Sequence, residues 1–171
     1  MKAVVEPPKG TTDFAFTRGV FDVSQGIMID LKSMPVRDDM DFLGGIGRSF
    51  KVMSEYRVRD PFAPDSPLMI NTGCLTGTGY MTGLRAYFTG YSPLKRTKKG
   101  MPMAAWSAMS GCFGRKFRAT GIDDLILVGA AERPRILFVK GTASGPEVSL
   151  LPAPEEIVGA RTQAKFAYLN R

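Results

Sequence analysis

Gly77, Gly79 and Gly83 fall in the run GTGYMTG, a G-x-G-x-x-x-G array, and Arg85 follows in LRAYF. Without a Cβ, glycine lets backbone N–H groups come close to a bound group. A guanidinium just beyond the array suits a phosphate, which its planar fork can hold at two points. A second run, SGCFG, places Ser110, Gly111 and Gly114 where a helical stretch begins, so that N–H groups can face an anion. These residue types can bring backbone and side-chain donors close to an anionic group. Catalytic residues stay unassigned. The chain has no histidine, which removes the commonest general base, the Ser–His triad and the zinc sites built on imidazole.

The common nucleotide loops do not fit. The glycine array is one residue longer than the dinucleotide fingerprint and runs into a strand-like segment, where that fingerprint opens a helix. No GK[ST] follows the glycines, which excludes a Walker A loop. Taken alone, the stretch reads as a Gly/Thr turn between strands.

The formal net charge is +7, and KRTKKG (Lys95, Arg96, Lys98, Lys99) and GRKFR (Arg115, Lys116, Arg118) concentrate part of it. Such a balance suggests an anionic partner: a phosphorylated cofactor, an acidic protein or nucleic acid. Cys74 and Cys112 are too few for a disulfide scaffold and lie in no metal-binding spacing. They read as small packing residues that hold no iron–sulfur cluster, since a cluster takes about four thiolates. No apolar run approaches the ~18 residues that span a bilayer, and MKAVVEPPKGTTDF has no signal-peptide core. A cytoplasmic protein with no membrane partner is expected.

The elements that must position these residues follow from periodicity and turn chemistry. Residues 1–18 read as an extended arm and 19–171 as a single domain. VFDV-SQG-IMIDL reads as a hairpin. PVRDDMDFLGGIGRSFKVMSEYRV reads as a helix with Asp38 and Asp39 in its first turn and Phe42, Ile46, Phe50 and Met53 on one face, or as a helix that starts only after Gly47. Its glycines imply that something packs against its backbone. LMINTG is a buried strand, LRAYFTGY another, and SPLKRTKKGMPM a basic loop. AAWSAMSGCFGRKFRATG leads into a short helix closed by Gly121. DDLILVGAAERPRILFVKG reads as a hairpin, PEVSLLP as a further strand, and PEEIVGARTQAKFAYLNR as a closing helix with Ile157, Ala160, Ala164 and Ala167 on one side. The expected class is α+β, mostly antiparallel β-sheets with a few inserted helices.

In order along the chain stand FLGGIGRSF, DPFAPDSPLMINTGCLTGTG, SPL at 92–94, and SGCFGRKFRATGIDDLILVGAAERPRILFV. This joint pattern, over roughly residues 20–140, resembles the N-terminal domain of the aldehyde ferredoxin oxidoreductase family. Those enzymes use a tungsten or molybdenum bis-pterin to oxidise aldehydes to carboxylic acids and pass the electrons to ferredoxin. The resemblance implies that this chain forms the base on which a tungstopterin or molybdopterin lies, with Gly77, Gly79, Gly83, Arg85, Ser110, Gly111 and Gly114 toward it. The loop from Lys95 to Trp106 is longer than the family pattern implies, and three residues depart from it. Ile46 stands where the family has arginine, Met109 where it has the asparagine that helps hold a magnesium ion, and Cys112 where it has glycine. The family subunit is several times longer and carries its iron–sulfur ligands beyond this stretch. The resemblance therefore implies a small subunit or fragment, inactive alone, whose larger partner carries the rest of the site and the cluster, with a ferredoxin-like electron carrier beyond. A non-catalytic assembly subunit is the alternative. A basic nucleic-acid module is a second, weaker one, because Tyr87, Phe88, Tyr91 and Phe113 lie on runs that read as core.

Overall fold

The computed structural model describes residues 15–35, 41–79 and 83–170. Eight strands and three helices follow one another: β1 (Ala15–Asp22), β2 (Ile27–Pro35), α1 (Gly45–Glu55), β3 (Leu68–Thr72), β4 (Ala86–Arg96), β5 (Pro102–Met109), α2 (Phe113–Ala119), β6 (Asp124–Val128), β7 (Arg135–Thr142), β8 (Gly145–Pro152) and α3 (Thr162–Leu169). A six-stranded sheet runs β2-β1-β6-β3-β4-β5, and β7 and β8 form a two-stranded sheet of their own. Every pairing is antiparallel except β1 with β6, which is parallel.

The alternation of side chains along the central strands builds a core on each face of the large sheet. Phe21, Ile70 and Leu125 face one way and meet Phe117 of α2 and Ile122, with Leu137, Val139, Val148 and Leu150 of the small sheet packed against them. Met69 and Ile126, one residue along in each strand, face the other way and meet Val52 and Met53 of α1. α1 therefore covers one face, while α2 and the small sheet cover the other.

Several sequence expectations need correction. The arm does not extend to residue 18: Ala15–Asp22 are β1, with Phe16 4% exposed; residues 1–14 lie outside the described residues. DDLILV and RILFVK are both strands but not a hairpin, because β6 inserts between β1 and β3 while β7 pairs with β8. The basic stretch is mostly strand: β4 runs on to Arg96 and β5 starts at Pro102, leaving a short turn between. The apolar face of α1 is not the one expected. Arg48, Ser49, Val52 and Met53 are buried and Phe50 is exposed, because Arg48 finds a carboxylate inside the fold. Asp38 and Asp39 lie outside the described residues. The closing helix spans only Thr162–Leu169 and buries none of its residues. Both cysteines are exposed, not packed.

Candidate functional site: a groove at the start of α1

The glycine loop between β3 and β4 is shaped by one arginine. Arg118, on α2 and nearly buried, donates from Nη1 to the carbonyl oxygens of Gly73 (2.8 Å), Cys74 (2.7 Å) and Thr76 (2.9 Å). Its Nε lies 3.2 Å from Asp123 Oδ1, and Asp123 Oδ2 accepts from the Thr17 backbone N–H at 2.9 Å. Three loop carbonyls are thus drawn inward onto a paired cation. Thr76 ties the loop to the next strand: its Oγ1 accepts from Gly73 N–H (3.1 Å) and donates to the carbonyl of Arg85 (3.0 Å). Gly77 N–H donates to the Gly83 carbonyl at 2.7 Å, and Gly77 takes φ +76°, the left-handed region that favours glycine.

The first turn of α1 comes up against this loop. Gly44, at the N-cap with φ +126°, bridges to Gly73; a Cβ there would stand 3.0 Å from the Thr72 carbonyl oxygen. At Gly45 a Cβ would stand 3.2 Å from the Tyr87 ring. Two of the helix glycines therefore exist because backbone and ring pack on them, while Gly47 faces open space. Asn71 fixes the turn, donating to the Gly45 carbonyl (2.7 Å) and accepting from Ser49 Oγ (2.7 Å). Farther in, Asp124 Oδ2 meets Arg18 Nη2 at 3.2 Å and Arg48 Nη1 at 3.4 Å. Burial pushes the Asp124 carboxyl up and the Arg48 guanidinium down, each against the pull of its partner.

Together these elements leave an open groove of about 400 Å³, lined by Leu43 to Ile46, Gly73 to Thr76, Gly83, Arg85 and Tyr87. The α1 N-terminus in its wall has no side-chain cap and no acidic residue in its first turn. The N–H groups of its first turn and its partial positive charge favour an anion. Arg85 is exposed along the same wall. Among the described residues no carboxylate lines the groove. Leu43, Ile46, Leu75 and Tyr87 give it apolar sides against which a flat ring can lie.

Of the residues singled out from the sequence, Gly83 and Arg85 line this groove. Gly77 lies in the same loop but faces Arg115 and Arg118, and Gly79 faces open space. Ser110 and Gly111 are exposed beyond the end of β5. Gly114 is a packing glycine, because a Cβ there would run into the Leu84 carbonyl oxygen; it lets α2 lie on the start of β4. Sequence reasoning missed Gly44, Gly45, Tyr87 and Arg118. The three glycines around Ile46 were the available signal for the first two.

The sheet that carries the groove belongs to a known architecture. The family model described as the aldehyde ferredoxin oxidoreductase N-terminal domain matches residues 22–171, and the chain belongs to that family. The tungsten-containing aldehyde ferredoxin oxidoreductase of Pyrococcus abyssi is 35% identical over 80 residues, and that of Pyrococcus furiosus 36% over 81. Each match covers 47% of this chain and 12% of the relative, so the matched stretch is a small part of those proteins. Among solved structures, a chain of the active site complex BamBC of benzoyl coenzyme A reductase, in complex with 1,5-dienoyl-CoA, superposes with a TM-score of 0.63 at 22% identity. It covers 80% of this chain and 20% of that one, a likeness of fold. No helix among the described residues is long and apolar enough to cross a membrane.

Proposed function

We propose that this chain forms the base of a tungsten- or molybdenum-pterin site in a cytoplasmic oxidoreductase, the remainder of which is carried by a larger partner chain. The observation that carries the reading is the groove itself, where an uncapped helix N-terminus and Arg85 converge with no opposing carboxylate among the described residues. When bound, the metal–pterin group supplies the two-electron oxidation of an aldehyde to a carboxylate, its electrons leaving through a cluster on the partner to a ferredoxin-like carrier. The residues present fit such a group on one side. The N–H groups opening α1 and the Arg85 guanidinium would receive phosphate charge. Tyr87, Leu43 and Leu75 would offer the ring an apolar surface. Arg118 keeps the loop carbonyls turned inward, so that they do not repel the anion. With no carboxylate among the described groove residues and no histidine in the chain, the part assigned to this chain is holding and orienting, and turnover by the chain alone is not expected.

The test is titration of the purified chain with a phosphorylated pterin, 6-hydroxymethylpterin diphosphate, followed by pterin fluorescence. Saturable binding weakened by Arg85→Ala supports the reading, and binding indifferent to Arg85 removes it. A second reading, an assembly subunit that binds no cofactor, draws on Ile46, which places an apolar side chain in the groove wall. It requires that wild-type chain and Arg85→Ala alike ignore the pterin.

A further inference from the structure

The two edges of the large sheet are built differently. β2, at one edge, carries Asp30 and Lys32, which pair at 2.8 Å. Charges on an edge strand discourage other chains from pairing with it. β5, at the other edge, reads PMAAWSAM and has no charged residue. Its pairing with β4 is regular from Ala104 to Met109, with the only irregularity toward the turn. Its one proline is its first residue. Met103, Trp106 and Met109 are 45%, 52% and 43% exposed. Among the described residues nothing pairs with the outer side of this uncharged, regular edge strand, and its row of backbone donors and acceptors carries no charged guard.

Charge describes what would cover it. From Ser66 to Ile122 the chain has no Asp or Glu and eight Lys or Arg residues, more than its entire net charge of +7. Four of these, Lys95, Arg96, Lys98 and Lys99, sit at the turn joining β4 to β5, where Leu94 is 92% exposed. None of the four takes part in the ion pairs among the described residues. We infer that β5 is a docking edge that accepts an extended segment of an acidic partner protein as an added strand, with the segment's carboxylates at the basic turn. A second copy of this chain is disfavoured, because it would bring two acid-free basic hairpins together. Nucleic acid is disfavoured because the exposed side chains of β5 offer one aromatic ring to stack on. The docked strand would also reach the groove: Trp106 packs on Tyr87 with ring centroids 6.1 Å apart, and Tyr87 lines the groove wall.

The inference stands on the edge strand and the charge, not on the pterin reading. Loss of pterin binding with strand binding intact counts against that reading alone, and the reverse against this one. Trp106 is the sole tryptophan, so the full chain reports on β5 by its own fluorescence. The probes are a short peptide with an alternating Thr/Val core flanked by glutamates, and its lysine-flanked twin. The glutamate peptide is expected to shift Trp106 emission to the blue and to bind about tenfold tighter than the twin, an advantage that shrinks with added salt. Lys98→Glu with Lys99→Glu is expected to reverse the preference. Met103→Glu, which puts an acid on the edge, is expected to weaken binding of the glutamate peptide. Equal binding of the two peptides overturns the inference. So does a Trp106 shift as large with a DNA oligonucleotide, or a dimer in sedimentation with β5 amides protected in the absence of peptide.

Discussion

Arg118 and Asp123 form a buried pair, 3.2 Å apart, that holds the glycine loop from beneath. Nη1 of the guanidinium donates to three of the loop's carbonyls, and Asp123 is anchored in turn on β1. Replacing Arg118 by Met removes three loop anchors and leaves a buried carboxylate without its cation. The expected cost is about 3–5 kcal/mol. Urea unfolding measures it, and a loss below about 1 kcal/mol would show that the loop is held by something else.

Arg85 is the opposite case. It is exposed on the groove wall, so Arg85→Ala is expected to leave stability within about 0.5 kcal/mol. Affinity for a phosphorylated pterin should fall about tenfold, the worth of one charge-assisted contact. Calorimetric titration and thermal unfolding of the same samples separate the two effects.

The helix glycines make a matched pair. Gly44→Ala places a side chain on a residue with φ +126° and against the Thr72 carbonyl, and is expected to cost about 1–3 kcal/mol. Gly47→Ala sits in open space within the helix and is expected to gain up to about 1 kcal/mol. Equal effects at the two positions would contradict the close approach of Gly44 to β3.

Asp124 should give stability an unusual pH dependence. Burial raises its pKa, against the opposing pull of Arg48 and Arg18 and with a further upward push from Asp123. The native state then binds this proton more tightly than the unfolded chain does, so its contribution is greatest at acid pH. That contribution declines as pH rises from the unfolded pKa, about 3.9, through the raised native one. Measured by urea midpoints, the stability of wild type relative to Asp124→Asn is expected to fall over that window. A difference that rises with pH would mean that the two arginines outweigh desolvation.

Local signals were legible in the sequence. The β1–β2 hairpin follows from two β-rich runs around a glycine turn, and β3 from its apolar run. The end of α2 follows from Gly121, which takes φ +92° and donates to the Arg118 carbonyl. What periodicity could not show was long-range. β6 was joined to β7 by proximity in sequence, but its partners, β1 and β3, lie far away along the chain. The buried side of α1 was misread because Arg48 counts as polar until Asp124, 76 positions on, is brought to it. For the site, the glycine loop and Arg85 were visible as types in a pattern. The helix start that completes the groove was seen only as an unexplained set of glycines.

The central claim is that this chain helps hold a metal–pterin group, and its most direct measurement is composition. Assemblies isolated from the native source through a tagged wild-type chain and a tagged Arg85→Ala chain should be assayed for tungsten, molybdenum and pterin, with mass identification of the accompanying chains. Tungsten or molybdenum together with pterin in the wild-type assembly, alongside a larger chain and depleted in Arg85→Ala, is the expected result. A wild-type assembly free of metal and pterin, or an Arg85→Ala assembly with the full complement, would contradict it.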